Sequence, residues 1–347
     1  MELSHRQTLQ NPLQEKICDA KLKEEIIAKI WPGETWKQED RDWAPYISYY
    51  TQQCKHAVHD RGKHILLRTH QHVVNITDQF RELTPRNDIK SNTKELFTSK
   101  SDREGEILDN SIDLAARLYL MMSIGHSKYA VSSGTSETWD EGNLEDFLSI
   151  YFNEPQVLSN SNIKFEKSFN AYNLGRIAGI KVKWTNNLID HLRMINADDK
   201  TIEVFHHATF LKHVKNQLFP PGFLEETLRT LALLFPPHDS DTQKFFQRID
   251  GIAMLDKQLT ACTPLRLSER QIENFEFWHD RLVILKHAYD ESRPATLSQW
   301  WHDRRNGVQW YTFWVAIVIL FLTIFFGMVQ SIEGAIQVYK AYHPTVA

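Results

Sequence analysis

Residues 311–329 read YTFWVAIVILFLTIFFGMV, a run of 19 residues without one charged side chain. As a helix rising about 1.5 Å per residue it measures close to 30 Å, the thickness of a bilayer's hydrocarbon core. The run ends at Val329 in a sequence of 347 residues, so it predicts one late membrane span behind a large body. Its flanks argue against a buried core helix. Trp310, Tyr311 and Trp314 stand where the span would meet the headgroups, a level that indole and phenol rings favour. Phe313, Phe321, Phe325 and Phe326 carry the apolar surface onward.

Charge orients the span. Arg293, Arg304 and Arg305 lie upstream and only Lys340 downstream. Cytosolic flanks are enriched in Lys and Arg, so the body is expected in the cytosol with the C-terminus across the membrane. A span this close to the last residue suits post-translational insertion as a tail anchor. Its weak downstream charge points to the endoplasmic reticulum or another secretory membrane. In residues 330–347, Ile332, Ala335, Ile336 and Tyr339 share one helical face. This tail either lies on the far surface as an amphipathic helix or rises from it as part of a longer, tilted one.

The rest of the chain has the composition of a packed body. Forty Lys and Arg face 44 Asp and Glu, for a formal charge of −4, and 12% of residues are aromatic. That balance lacks the basic excess of a nucleic-acid binder. Cys18, Cys54 and Cys262 are far apart and odd in number, the pattern of reduced thiols. Met1 to Lys23 holds no apolar core of signal-peptide length, so the span itself is expected to address the protein.

Periodicity predicts a mostly α body with a small α+β unit. Residues 1–155 read as mainly helical, with a short helix over 17–31, strand or helix over 61–80, a polar loop near 85–103, a helix over 106–124 closed by Gly125, and another over 144–151. Trp31, Trp36, Trp43, Tyr46, Tyr49 and Tyr50 form an aromatic stripe, more often a segment packed across the body, with an exposed peptide-docking face as the alternative. Residues 160–240 read as the α+β unit, with strands at 180–184 and 201–205, a short helix at 188–194, a turn at Asp198-Asp199-Lys200, and helices over 209–217 and 222–235. Over 268–292 a long amphipathic helix places Ile272, Phe275, Trp278, Leu282, Leu285 and Tyr289 at spacings of 3, 3, 4, 3 and 4. That seam fits either packing on its own domain or an intermolecular coiled coil.

No chemistry-bearing motif stands out. His56, His59, His64, His70 and His72 crowd 17 residues, and His206, His207 and His213 form a second group, but neither carries the cysteine or spaced carboxylate of a metal site. Asp190-His191 and Glu225-Glu226 could serve acid–base chemistry, although paired charges on short helices are usually solvated. Ser132 to Ser136 could form an anion nest or a plain loop. The phosphate-binding glycine loops and the Gly-x-Ser-x-Gly elbow do not occur. No catalytic, cofactor-binding or metal-binding residue is therefore assigned. Asn75-Ile76-Thr77 is a formal glycosylation sequon, unused in a cytosolic body.

Four stretches resemble an uncharacterised family of single-pass, C-terminally anchored membrane proteins of filamentous fungi. They are DNSIDLAARL at 109–118, KWTNNLIDHL at 183–192, LFPPGFLEETLRTL at 218–231 and WWHDRRNGVQWYTFW at 300–314. The resemblance covers most of residues 105–345 and implies the architecture and a fungal origin, with no residue roles to transfer. A long helix leading into a late span with Phe326-Gly327-Met328 is also similar to the CorA-like metal-ion transporters. In those an Asn follows the Gly-Met pair and a second span comes after it. Here Val329 follows, and the remaining 18 residues hold no second span.

These readings point to a membrane-tethered interaction or scaffold protein whose partners are the lipid bilayer and either another protein or further copies of itself. The alternatives are a homo-oligomeric, channel-related protein assembled through residues 269–329, and a membrane-bound enzyme. The enzyme would require a deep polar cleft gathering several of His206, His207, Asp190 and Glu225.

Overall fold

The computed structural model describes residues 7–33, 42–96, 103–125, 134–158, 162–196, 200–214, 218–250, 254–292, 299, 301, 303 and 307–343. They fall into two compact units, residues 1–175 with 179–291, and residues 176–178 with 292–347. The first is a mostly α-helical body with one small sheet. The second carries the single apolar C-terminal helix long enough to span a membrane.

Five helices begin the body: α1 (Ala20–Ile30), α2 (Ala44–Ala57), α3 (His70–Arg81), α4 (Arg86–Leu96) and α5 (Glu104–Leu120). α1 starts where the Asp19 carboxylate accepts from Lys21 N, and it buries Leu22, Ile26, Ile27 and Ile30 on one face. α5 is the central rod, buried at every position from Ser111 to Leu120. α2 is pinned to it by two phenols, Tyr46 donating to Leu118 O at 2.9 Å and Tyr49 to Arg117 O at 3.1 Å. The aromatic stripe is thus largely internal, with Trp31, Tyr46, Tyr49 and Tyr50 buried. Trp31 stacks on Trp43 and meets Phe210 edge-on. Trp36 lies outside the described residues.

After α6 (Leu144–Phe152), capped by the Asn143 side chain, and α7 (Ala171–Arg176), the chain enters the sheet. β1 (Lys181–Thr185), β2 (Met194–Asn196) and β3 (Thr201–Phe205) are ordered β1-β3-β2. β1 pairs with β3 in parallel and β2 with β3 antiparallel. The sequence placed β1 and β3, but β2 is only three residues long and too short to register as an alternation. Residues 188–190 form a single 3₁₀ turn in place of a helix to 194. The expected turn at Asp198-Asp199-Lys200 has only Lys200 among the described residues, at φ +45°. Helices α8 (Ala208–His213), α9 (Phe223–Leu234) and α10 (Ser240–Asp250) follow, then α11 (His279–Asp290).

Three boundaries differ from expectation. The polar loop near 85–103 is largely helix α4. It has little apolar face for a pattern to show, and ion pairs to α5 hold it instead: Arg86 reaches Asp109 and Asp113 at 2.7 and 2.8 Å, and Lys90 reaches Asp109 at 2.7 Å. α5 stops at Leu120, where Met121 turns left-handed at φ +53°, four residues before Gly125. The long helix over 268–292 is helical only from His279. Residues 267–270 and 272–274 make two 3₁₀ turns, and the buried Glu226 carboxylate then accepts from Glu276 N and Trp278 N at 2.7 and 2.9 Å.

This third difference also removes the proposed seam. Ile272, Phe275, Trp278, Leu282, Leu285 and Tyr289 do not line one helix, and all six are buried inside the body. Phe275 meets Phe165 edge-on, Tyr289 meets Phe169 likewise, and the Trp278 indole donates to Thr227 Oγ1 at 2.9 Å. Their heptad-like spacing reflects packing on their own domain, with no coiled-coil surface left to offer.

The second unit contains α12 (Gly307–Tyr342), 36 residues with none buried. At about 1.5 Å per residue its length is roughly 54 Å, well beyond a 30 Å hydrocarbon core. The helix runs unbroken through Val329 to Tyr342, so residues 330–342 continue the span's axis.

Candidate functional site

Two features of the molecule could carry function. The first is α12. Tyr311, Phe321, Phe325 and Phe326 are exposed on it, and Trp310 and Trp314 are half-buried against Trp301, with Trp301 and Trp314 rings 4.8 Å apart. The Trp310 indole donates to Trp301 O at 3.3 Å. A helix apolar on all sides over 311–329, with none of its residues buried among the described residues, is what a lipid surround requires. The indole cluster at its first turns has an apolar body and a polar N–H, the chemistry of the headgroup level. Arg304 and Arg305, read as orienting charges, lie outside the described residues.

The second feature is a polar cleft of about 190 Å³ between α2, the end of α5 and strands β1 and β3. Parallel register sets Lys183 of β1 beside Glu203 of β3, and their side chains pair at 3.0 Å. Arg193, just before β2, bridges the two buried carboxylates of the cleft. It reaches Glu203 Oε2 at 2.8 Å and Asp190 Oδ1 at 3.1 Å, and donates to Thr135 Oγ1 at 2.6 Å. Asp190 also accepts from Thr135 N at 3.1 Å and from the Asn187 amide at 2.7 Å. Asn187 in turn accepts from Ser123 N at 2.8 Å. The anion nest read at 132–136 therefore has a partner in its own chain, because Thr135 N holds the Asp190 carboxylate. Ser132 and Ser133 are outside the described residues.

Gly134 is what lets that carboxylate approach. A Cβ built there would fall 1.8 Å from Asp190 Oδ2. Gly134→Ala is expected to displace Asp190 from Asn187 and Arg193 and to cost about 2 kcal/mol, the scale of overpacking a filled site. A denaturant midpoint unchanged from the parent would show that the loop yields instead.

The buried histidines are held by hydrogen bonds within the body. His206 and His207 stack with centroids 4.0 Å apart, and both donate from Nε2 to Asn186 Oδ1, at 3.1 and 2.7 Å. His191 accepts from Phe205 N on Nδ1 at 3.2 Å, which puts its proton on Nε2, 2.7 Å from Thr230 Oγ1. Burial depresses all three pKa values, His191 and His206 to about 3 and His207 well below its usual range. In the first group His70 is buried against the Tyr50 hydroxyl, whereas His56 and His59 are exposed. Among the described residues no three His, Cys, Asp or Glu side chains are placed to hold a metal. Glu226 is spent on the start of α11, and Glu225 does not line the cleft.

Of the residues lining the cleft, the sequence singled out Asp190, with Gly134 inside the 132–136 nest and Tyr49 inside the aromatic stripe; His206 and His207 do not line it and only hold Asn186, which does. Lys183, Arg193 and Glu203 were missed because strand register, invisible in a chain read alone, brings them together. No protein-family model, curated protein or solved structure matches the chain.

Proposed function

We propose that the chain is a membrane-tethered binding protein: α12 holds the body at a bilayer, and the body recognises a partner there without transforming a substrate. The observation that carries this reading is α12 itself, apolar on every side and buried at no position. Tethering confines body and partner to one surface and so raises their effective concentration. The excess of Arg upstream of the span supports a cytosolic body, and the weak downstream charge a secretory membrane.

A membrane-bound enzyme is the second reading, drawing on the cleft that Asp190 lines. It needs a free acid or base, and all four oxygens of Asp190 and Glu203 already accept hydrogen bonds or ion pairs. Recognition is the better account of such a cleft than catalysis.

Full-length protein floated with vesicles is expected to stay with the bilayer after an alkaline wash. Replacing both Leu320 and Ile324 by Lys places two charges at mid-span, at about 3 kcal/mol each, and should release the protein to the soluble fraction. Continued flotation of that variant would overturn the anchor. In mild detergent the protein mass, corrected for bound detergent, is expected to be that of one 40.7 kDa chain. A discrete oligomer would favour the channel-related alternative.

A further inference from the structure

We infer that the cleft between α2, α5 and the sheet binds a small carboxylate of about six to eight heavy atoms, received by Arg117, Gln53 and Asn186. The inference goes beyond the tethering role and does not depend on it. It follows from which hydrogen-bonding groups in the cleft are satisfied and which are not.

The acceptors are full. Glu203 is neutralised by Lys183 and Arg193, and Asp190 by Arg193, with Thr135 N and the Asn187 amide completing its coordination. The donors are not. Arg117 is only 5% exposed, lines the cleft, and gives one N–H to Ile124 O at 2.7 Å, while its Nε has no hydrogen-bond partner. Gln53, 7% exposed, lines the cleft, and its amide makes no hydrogen bond among the described residues. Asn186 lends its Oδ1 to the two histidines, which turns its NH₂ group away from them with no partner among the described residues. Arg117 Nε is buried without an acceptor, and Gln53 and half-buried Asn186 offer the cleft amides with no acceptor among the described residues, so three donor side chains around one cleft suit an acceptor-rich guest.

Charge narrows the class. Both carboxylates of the lining are already offset by cations, so a guest meets the Arg117 guanidinium and two neutral amides. Guanidinium geometry matches a carboxylate's two oxygens. Size fits as well: an engineered cavity of about 150 Å³ takes up benzene, and this cleft measures about 190 Å³. Half-buried Trp184 in the lining offers an apolar wall to a short hydrocarbon chain.

Three probes decide the matter, each titrated by calorimetry into full-length protein in mild detergent at pH 7.5: butyrate, its isostere butyramide, and butylammonium, a cation on the same chain. Butyrate is expected to bind about ten-fold or more tightly than butyramide, as charge-assisted hydrogen bonds exceed neutral ones, and butylammonium is expected not to compete. Gln53→Leu should weaken butyrate about ten-fold through the lost amide contact. Gln53→Glu, which adds a negative charge to the cleft, should abolish the preference for butyrate. Equal affinities for butyrate and butyramide, a preference for butylammonium, or no saturable binding by any probe would overturn the proposal, as would variants that bind butyrate like the parent.

Discussion

Lowering the pH from 7 to 5 is expected to remove about 5 kcal/mol from the stability of the body. His191 and His206, each held near pKa 3, and His70, held near 4, are kept neutral by burial. In the unfolded chain each returns to about 6.5. The unfolded state therefore binds more protons below pH 6.5. The stability these residues lend is whole above that value and is lost as pH falls toward their folded values. At pH 5 the loss is about 2 kcal/mol per residue, set by the unfolded pKa and insensitive to the folded one so long as that lies near 4 or below. His207 moves in the same direction. Asp256 works against them: burial raises it to about 6, so it takes up its proton in the folded state first and returns about 1 kcal/mol over the same range. A net loss of this size approaches the whole stability of a typical domain. The melting temperature in mild detergent should fall by roughly 10–20 °C between pH 7 and pH 5. His206→Gln should remove one proton from the pH slope. A melting temperature flat across that range would mean the imidazoles are not held neutral in the fold.

The same histidines show what a chain read alone conceals. Their clustering raised metal binding, which the lack of a cysteine or spaced carboxylate argued against, but it did not show what holds them instead. Their role here is to satisfy Asn186, Thr230 and Phe205 N inside the body, and nothing local in sequence marks those partners. Elements with a clean apolar period were legible: α1, α5, α9, the strands β1 and β3, and above all the span within α12. α4 was not, since its attachment is electrostatic and runs through Arg86, Lys90 and Asp109. The cleft was least legible of all, because register across β1 and β3 unites Lys183 with Glu203, and a three-residue strand brings Arg193 to both carboxylates. The run at 272–289 was legible as apolar and misjudged as helical. Spacings of three and four also arise when a chain passes from a 3₁₀ turn carrying Ile272, through Phe275 and Trp278, into a short helix carrying Leu282, Leu285 and Tyr289, all aimed at the same core.

That last distinction has a large measurable consequence at Leu282. Were it part of an exposed seam, a lysine there would dissociate an oligomer and leave a folded monomer. It is instead wholly buried in α11, so the substitution acts on the fold. Leu282→Ala should cost about 3 kcal/mol through lost transfer energy and the cavity left behind. Leu282→Lys adds an unpaired charge to an apolar interior and should cost more, enough to populate the unfolded body at neutral pH. Ile284 supplies the internal control, since it lies on the same helix two residues on and is 46% exposed. Ile284→Lys should change stability by less than about 0.5 kcal/mol. Denaturant midpoints of the three variants, read with their masses by light scattering, separate the two accounts. A folded Leu282→Lys variant with the parent's melting temperature and a smaller assembly would restore the intermolecular seam. Loss of the fold at 282 with indifference at 284 places the run inside the body.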